Sequence, residues 1–359
     1  PTPGYQWKRN NVAIPGATAA SYTIESASGA DNGNYTVVAS NAAGSATSAT
    51  AVVNVRSTAL AVVSASPATQ SDGAFPEQPL TLTFNQPIAA GLSGAIKIYD
   101  AASPGTPVET IDFSAPAARV ASASRLALPV QSQTIGGQSG LNYYPATISG
   151  STLTLYPRNQ SLAYGHTYYV TVDAGAILDA SGATFTGISD DTRWRFSPKA
   201  AGPAAGATWL TVAADGSGDF RTVQAALDFI PAGNTTPTTI YIKNGTYWEL
   251  VSWTGKSNLT FLGESREGVV IGYPNNNNFN PTGTAWRAAF TCRGTSSSGI
   301  VLTNLTIKNF TPKTGSQAEA IYLSGSPTGY QTILTHVTLS SYQDTLLING
   351  QDYISDSYI

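Results

Sequence analysis

The sequence is poor in sulfur and in charge. Among 359 residues there are one cysteine and no methionine, and only 11% of the residues are charged, whereas an average soluble protein has about 25%. Because Cys292 has no second cysteine to pair with, no disulfide can form within the chain, and stability must come from packed secondary structure. Small and uncharged polar residues take the place of charged ones, a composition typical of secreted bacterial polypeptides.

Further absences exclude whole classes of protein. The net charge of −3 leaves no basic surface for nucleic acid. No apolar run approaches the roughly 20 residues that cross a bilayer, so we expect no membrane span. Without a methionine, Pro1 is not a translation start, and no signal segment precedes it. Since the first residues already resemble the middle of a domain, we expect a fragment. The length predicts two or three domains.

Residues 1–56 alternate between polar and apolar in short runs separated by Gly, Asn and Ser, which predicts antiparallel strands. The run DNGNYTV (residues 31–37) resembles the Asp-x-Gly-x-Tyr-x-Cys corner of immunoglobulin-like (Ig-like) sandwiches, with Val37 at the position of the cysteine. Trp7 would then be the core tryptophan of an earlier strand. We therefore expect a partial Ig-like domain that lacks its first strands.

Residues 57–200 continue this style over a greater length. The order of an LTFNQPI strand, a YYVTV strand, an ILDASG turn and a closing WRF resembles a bacterial Ig-like domain, a kind of module that usually serves as a spacer. His166 precedes a strand, and no neighbouring ligand residues indicate a metal site. We expect His166 to lie at the surface or to pack, and we see no catalytic motif in this segment.

The character of the sequence changes after the linker PKAAGPAAGATW (residues 198–209), whose Pro, Ala and Gly are typical of a domain boundary. Asp219 or Thr222 can cap a following helix, and Pro231 can close it. Apolar residues with the spacing of one helical face predict that this helix is short and amphipathic: Val223, Ala226, Leu227 and Ile230.

Beyond this helix, short apolar strands recur with a shared pattern. In LTNLTI, LTHVTL and ISDSYI, a polar residue (Asn304, His336 or Asp356) precedes an apolar residue by three positions. The uneven offsets are typical of a solenoid whose coils carry loops of different length. We predict a parallel β-helix whose open end is covered by the short helix. A third sandwich would need hairpin turns between adjacent strands, and their dipeptides are scarce here.

Six stretches between residues 207 and 359 follow one another as they do in pectin methylesterases (pectinesterases): VAADGSGDFRTVQAALD, IYIKNGTYWE, NLTFLGES, GIVLTNLTIKNF, QAEAIYL and SYQDTLLINGQDYISDSYI. This resemblance implies a right-handed parallel β-helix and an aspartyl esterase that uses no metal or other cofactor. The predicted fold class is therefore all-β, with two Ig-like sandwiches, the first incomplete, and a truncated β-helix. The predicted domains are residues 1–56, 57–200 and 201–359.

The resemblance also implies site residues. Gln317 in SQAEAIYL and Gln343 in YQDTL match two oxyanion-site glutamines, and Asp344 matches the acid/base aspartate. Attack on a methyl ester produces an oxyanion, which neutral amide donors stabilise without binding the carboxylate product too tightly. A carboxylic acid is needed to protonate methanol and then to activate water. Glu319 follows Gln317 by two residues, so in a strand both side chains would face the same way.

In this family the nucleophilic aspartate and an orienting arginine follow the strand that DYISDSYI resembles. Asp352 and Asp356 do not align with that nucleophile. We therefore expect the polypeptide as given to hold half of an active site and to be inactive or nearly so. Without the resemblance, Asp344 would be interpreted as an ordinary residue of a strand-end turn.

The implied substrate is methyl-esterified homogalacturonan, that is pectin, and Tyr342 is a candidate for packing on its sugar rings. We expect a secreted or cell-surface bacterial protein that is monomeric and has no nucleic-acid partner. Two alternatives remain open. One is a pectate lyase or polygalacturonase on a similar β-helix, although neither its calcium-binding aspartates nor its clustered catalytic aspartates are visible. The other is a surface protein that only binds glycans.

Overall fold

The computed structural model describes residues 2–25, 27, 29–55, 59–114, 119–122, 125–294, 297–313, 316–324 and 331–359. Strands dominate this part of the chain, and its two α-helices have seven and four residues. Neither of these helices is long and apolar enough to cross a membrane. The predicted all-β fold class is confirmed.

The N-terminal segment forms one antiparallel sheet in the order β2-β1-β3-β4, with β5 paired to β3. Tyr35 near the start of β3 is buried, and its hydroxyl donates to the carbonyl of Asp31 at 2.8 Å, which is the tyrosine corner expected of an Ig-like domain. Trp7 is only half-buried, because no second sheet covers it within described residues 2–55. The strands are β1 (Gly4–Arg9), β2 (Val12–Ala13), β3 (Gly33–Asn41), β4 (Gly44–Thr47) and β5 (Ala51–Val53).

The second segment is a sandwich whose sheets have the strand orders β11-β10-β18-β20-β7 and β16-β17-β8-β6. Alternate residues of both sheets, such as Leu82 and Ile96, fill one core around Trp194. His166 is exposed and contacts Asp100. The strands are β6 (Val62–Ser66), β7 (Ser71–Ala74), β8 (Leu80–Phe84), β9 (Ile88–Ala90), β10 (Ala95–Asp100), β11 (Pro107–Asp112), β12 (Arg119–Ser122), β13 (Arg125–Pro129), β14 (Gln131–Ile135), β15 (Gln138–Tyr143), β16 (Ala146–Ser149), β17 (Thr152–Leu155), β18 (Tyr168–Val172), β19 (Ile177–Asp179) and β20 (Arg195–Pro198).

The third segment is a parallel β-helix. Successive coils add one strand to each of three parallel sheets, with orders β21-β22-β25-β28-β31-β34, β23-β26-β29-β32 and β24-β27-β30-β33, around a continuous apolar core. Its elements are β21 (Trp209–Val212), α1 (Val223–Phe229), β22 (Thr238–Ile242), β23 (Gly245–Trp248), β24 (Val251–Thr254), β25 (Leu259–Gly263), β26 (Val269–Tyr273), α2 (Thr284–Arg287), β27 (Phe290–Arg293), β28 (Ile300–Thr303), β29 (Thr306–Asn309), β30 (Ile321–Ser324), β31 (Gln331–Thr335), β32 (Thr338–Ser340), β33 (Leu346–Asn349) and β34 (Gln351–Ser355).

The polar residues that recur in the sequence occupy one corner of the β-helix. Asn304, His336 and Asp356 each follow a strand of the six-stranded sheet, and all three have a left-handed backbone with φ between 48° and 59°. Asn and Asp adopt this conformation more readily than most side-chain-bearing residues. The recurring pattern therefore marks a turn, and its polar residues are there for backbone geometry.

Helix α1 begins as the sequence predicts. The Thr222 hydroxyl accepts a hydrogen bond from the backbone N–H of Ala225 at 3.2 Å, so Thr222 is the N-cap. The next donors, Val223 and Gln224, give their N–H groups to the carboxylate of Glu249 at 2.8 and 2.9 Å. A carboxylate at this position also complements the helix dipole.

Glu249 makes stability depend on pH. It lines a cavity of about 530 Å³ between the sandwich and the β-helix, and burial raises its pKa to about 7, with smaller contributions from nearby Glu77 and Asp228. In the unfolded chain this carboxyl ionises near its ordinary value of 4.5. Between these pH values the folded state binds more protons at Glu249, so the contribution of this residue to stability is greatest below pH 4.5 and falls as pH rises to about 7.

We expect Glu249→Gln to remove this dependence. From pH 5 to pH 8 the melting temperature of the native protein should fall by a few degrees relative to that of the variant. The check is thermal unfolding across this range, with Glu264→Gln as the control, because the Glu264 carboxylate accepts a backbone N–H at an exposed site. The prediction would be contradicted if the melting temperatures of the native protein and of Glu249→Gln differed by the same amount at every pH from 5 to 8.

The sandwich docks on the β-helix through the hairpin β14–β15. Ile135 and Leu141 of the hairpin pack with Phe279 of the β-helix in one apolar cluster. Gly136, at the hairpin turn, approaches so closely that a Cβ there would lie 1.8 Å from the carbonyl oxygen of Ser252, so only glycine fits. Such domains usually serve as spacers. This Ig-like domain does more, because it is packed against the β-helix.

Candidate active site

Two segments that are distant in sequence meet at one edge of the sheet β24-β27-β30-β33. Ala318 and Gln343 form an isolated antiparallel bridge, and the N–H of Ala320 donates to the carbonyl of Thr345 at 3.1 Å. The Ser341 hydroxyl also donates to the carbonyl of Ala318. These contacts place the backbone of the Gln317 segment directly beside that of Gln343 and Asp344.

The residues predicted for the site lie at the surface. Gln317, Gln343 and Asp344 are all exposed, and the side chain of Tyr342 is 67% exposed. The strand geometry that would turn Gln317 and Glu319 the same way does not apply here: Gln317 is exposed, whereas Glu319 is wholly buried. The reason is that β30 begins only at Ile321, so strand alternation does not extend back to this segment.

Asp344 has a left-handed backbone with φ of 51°. Side-chain-bearing residues in this region cost free energy and often occur where function or a tight turn requires a particular direction. This left-handed residue lies between the bridge at Gln343 and strand β33, and Asp344 is exposed at the surface while the chain enters the sheet from Leu346 onward.

An ion pair lies beneath the site. The Arg287 guanidinium, at the end of α2, contacts both carboxylate oxygens of Glu319, with its Nε 2.8 Å from each and Nη2 2.6 Å from Oε1. This hydrogen bonding to Glu319 raises the pKa of Arg287, and the negative charge of nearby Asp344 adds a smaller contribution. The cation is thus within electrostatic range of the candidate acid.

Sequence reasoning did not identify Arg287. The available signals were one charged residue in TAWRAAF and one in QAEAIYL, each in a stretch of mostly apolar residues. Buried charges are rare unless they are paired, so two such residues could have been proposed as partners.

The loop at residues 274–280 contacts the Gln317 segment (residues 316–320) through hydrogen bonds. The N–H of Asn277 donates to the carbonyl of Gln317 at 2.9 Å, and the N–H of Asn278 donates to the Ser316 hydroxyl at 3.2 Å. This asparagine-rich loop therefore holds the backbone that carries Gln317, one of the candidate oxyanion donors.

The fold and this edge define a class of protein, a parallel β-helix that carries surface amide and carboxyl groups and is docked on a bacterial Ig-like sandwich. Comparison with known families agrees. Residues 209–357 match the family model described as pectinesterase, and residues 110–197 match the one described as bacterial Ig-like domain. The chain thus contains a segment that matches the pectinesterase family model, preceded by a segment that matches the bacterial Ig-like domain model.

Individual relatives resemble the same C-terminal part. Probable pectinesterase 56 of Arabidopsis thaliana is 32% identical over 152 residues, covering 42% of this chain and 50% of that protein. Pectinesterase 4 of the same plant is 35% identical over 144 residues, covering 40% of this chain and 24% of that protein. Pectin methylesterase PemA from Erwinia chrysanthemi is 29% identical, covering 43% and 49%, with a TM-score of 0.36. The chain spans between about a quarter and a half of the length of these relatives.

Proposed function

We propose that the protein hydrolyses the methyl esters of pectin, releasing methanol and leaving a carboxylate on each galacturonate. The observation that carries this proposal is the bridge between Ala318 and Gln343. It brings the three positions that match the family's glutamines and acid to one exposed edge of a pectinesterase-family β-helix. The relatives named above are pectinesterases, which supports the same substrate class.

The proposed roles follow from the chemistry of ester cleavage. A carboxylate nucleophile, a second aspartate by the family resemblance, adds to the ester carbonyl and forms a tetrahedral oxyanion. The side-chain amides of Gln317 and Gln343 donate hydrogen bonds to this oxygen, and removing one such donor typically costs about 3 kcal/mol of transition-state stabilisation. Asp344 gives its proton to the departing methanol and then accepts one from the water that hydrolyses the acyl-enzyme.

The remaining proposals concern the setting of the reaction. Pectin is an extracellular polysaccharide, and pectinesterase and Ig-like domains together suggest an extracellular or surface protein. We propose a secreted or cell-surface protein of a bacterium that acts as a monomer. Tyr342, beside Gln343 and largely exposed, is proposed to pack against a sugar ring of the substrate.

The decisive experiment compares products. The protein to test extends past Ile359 to the expected nucleophilic aspartate and orienting arginine, and it is called the full-length protein from here on. Incubated with highly esterified pectin, the full-length protein should release methanol while the polysaccharide chain length stays constant, and de-esterified pectin should give no product. Unsaturated chain ends would indicate a lyase, and new reducing ends would indicate a polygalacturonase. Binding of pectin without any product would favour the non-catalytic alternative. Any of these three outcomes would overturn the esterase proposal.

A further inference from the structure

We propose that Asn280 is a positioning residue, through which the docked hairpin β14–β15 fixes the segment that carries Gln317. The role assigned to Gln317 rests on the proposed function, whereas the connection itself rests on geometry alone. The inference gives the Ig-like domain a part in shaping the candidate active site.

The side-chain amide of Asn280 forms two hydrogen bonds with the backbone of the hairpin, as a residue of a neighbouring strand would. Its Oδ1 accepts the backbone N–H of Asn142 at 2.7 Å, and its Nδ2 donates to the carbonyl of Asn142 at 3.2 Å. The Asn142 side chain adds a hydrogen bond to the carbonyl of Phe279 at 2.6 Å. Asn280 is only 1% exposed, so water cannot replace these partners without opening the interface.

The connection continues inward through two more buried amides. The Nδ2 of Asn280 donates to Oδ1 of Asn275 at 2.8 Å. Asn309 accepts the backbone N–H of Asn275 at 3.2 Å, and its Nδ2 donates to the carbonyls of Asn275 and Glu319 at 2.6 and 2.8 Å. Asn275 and Asn309 are 0% and 1% exposed.

These contacts end on the candidate site. The loop that contains Asn275 and Asn280 binds the carbonyl of Gln317 through the N–H of Asn277, while Asn309 binds the carbonyl of Glu319 two residues later. The loop therefore holds the carbonyl of Gln317 directly and that of Glu319 through Asn309 of β29, to which Asn275 of the loop is bonded. Asn280 holds the loop to the hairpin. Hydrogen bonds in such a buried network are strong and hard to replace. A shift of the loop at Asn280 should therefore also shift the backbone at Gln317.

The interface offers a matched control. Asn159 of the sandwich donates through Nδ2 to Oδ2 of Asp228 in α1 at 2.7 Å, so Asn159→Ala also removes a hydrogen bond between the two domains. That contact leads to the capping helix and not to residues 316–320. A general weakening of the interface should affect Asn159→Ala and Asn280→Ala alike, and a positioning role should affect only the second.

The first test is amide hydrogen exchange in the full-length protein. In Asn280→Ala, the amides of Asn277 and Ala289, which donate to the carbonyls of Gln317 and Glu319, should exchange about tenfold faster than in the native protein. In Asn159→Ala they should be unchanged. Equal exchange in the two variants overturns the proposal. If Asn280→Ala does not fold, Asn280→Asp, which keeps the oxygen acceptor and loses the donor, is measured instead with the same criterion.

The second test is the kinetics of methanol release. A displaced Gln317 weakens transition-state binding, so Asn280→Ala should lower kcat about tenfold and leave KM within about twofold of the native value, with Asn159→Ala unaffected. A change in KM alone would overturn the positioning role. Absence of methanol release from the native protein would refute the proposed function, while the exchange measurement would still decide whether Asn280 positions the segment.

Discussion

Asp344→Asn in the full-length protein is expected to lower kcat for methanol release from esterified pectin by about 10²- to 10⁴-fold, the range of general acid–base catalysis. Asparagine has the same shape and adopts a left-handed backbone as readily as aspartate, so the φ of 51° at this position is not disturbed. What the variant loses is a proton that can move to methanol and back from water. The measurement is steady-state methanol release, with folding checked by circular dichroism.

Asp352→Asn is the control for this prediction. Asp352 lies in β34, it does not match a catalytic position, and its removal should change kcat by less than twofold. If Asp344→Asn retains native kcat, or if Asp352→Asn loses as much, Asp344 is not the acid.

Arg287→Met is expected to lower the free energy of unfolding by about 3–5 kcal/mol, the typical cost of breaking a buried ion pair from one side. The side chain of Arg287 is 12% exposed and that of Glu319 is 0% exposed. Methionine fills similar space but leaves the Glu319 carboxylate without its three guanidinium contacts. Because water does not reach this carboxylate, the folded state must bear an unpaired charge. Urea unfolding followed by fluorescence measures the change.

Two further variants separate the unpaired charge from lost packing. Arg287→Met combined with Glu319→Met removes both charges and should recover most of the lost stability. Arg266→Met breaks the pair with Glu267, whose side chain is 76% exposed, and should cost less than about 1 kcal/mol. A double variant as unstable as Arg287→Met would show that the guanidinium acts through packing and not through charge.

Local patterns in the sequence were sufficient to predict the coils of the β-helix and its capping helix α1. The predicted apolar positions Val223, Ala226 and Leu227 are fully buried in the β-helix core, and Thr222 caps the helix as one of the two candidates. Helical periodicity and capping act over three or four residues, so they can be recognised in a short window. The order of six short motifs indicated the resemblance to pectinesterases, and the pectinesterase family model matches the same part of the chain.

The contacts that shape the candidate site act over longer distances and could not be predicted in this way. Arg287 and Glu319 are 32 residues apart, and Asn142 and Asn280 are 138 residues apart. No periodicity links such pairs, because each becomes a neighbour only after the coils stack and the hairpin docks. The burial of Glu319 could not be predicted for a related reason. Strand alternation was extended to residues that a bridge, and not a strand, holds in place.

Coils of the β-helix can differ in length without losing the alignment of their strands, as the left-handed corner at Asn304, His336 and Asp356 illustrates. These residues are 32 and 20 positions apart, yet the residues just before them, Thr303, Thr335 and Ser355, stay aligned across the sheet. The longer coil must therefore accommodate twelve additional residues on its outside. Insertions between strands can therefore lengthen a coil, while the strands of the sheet keep their alignment.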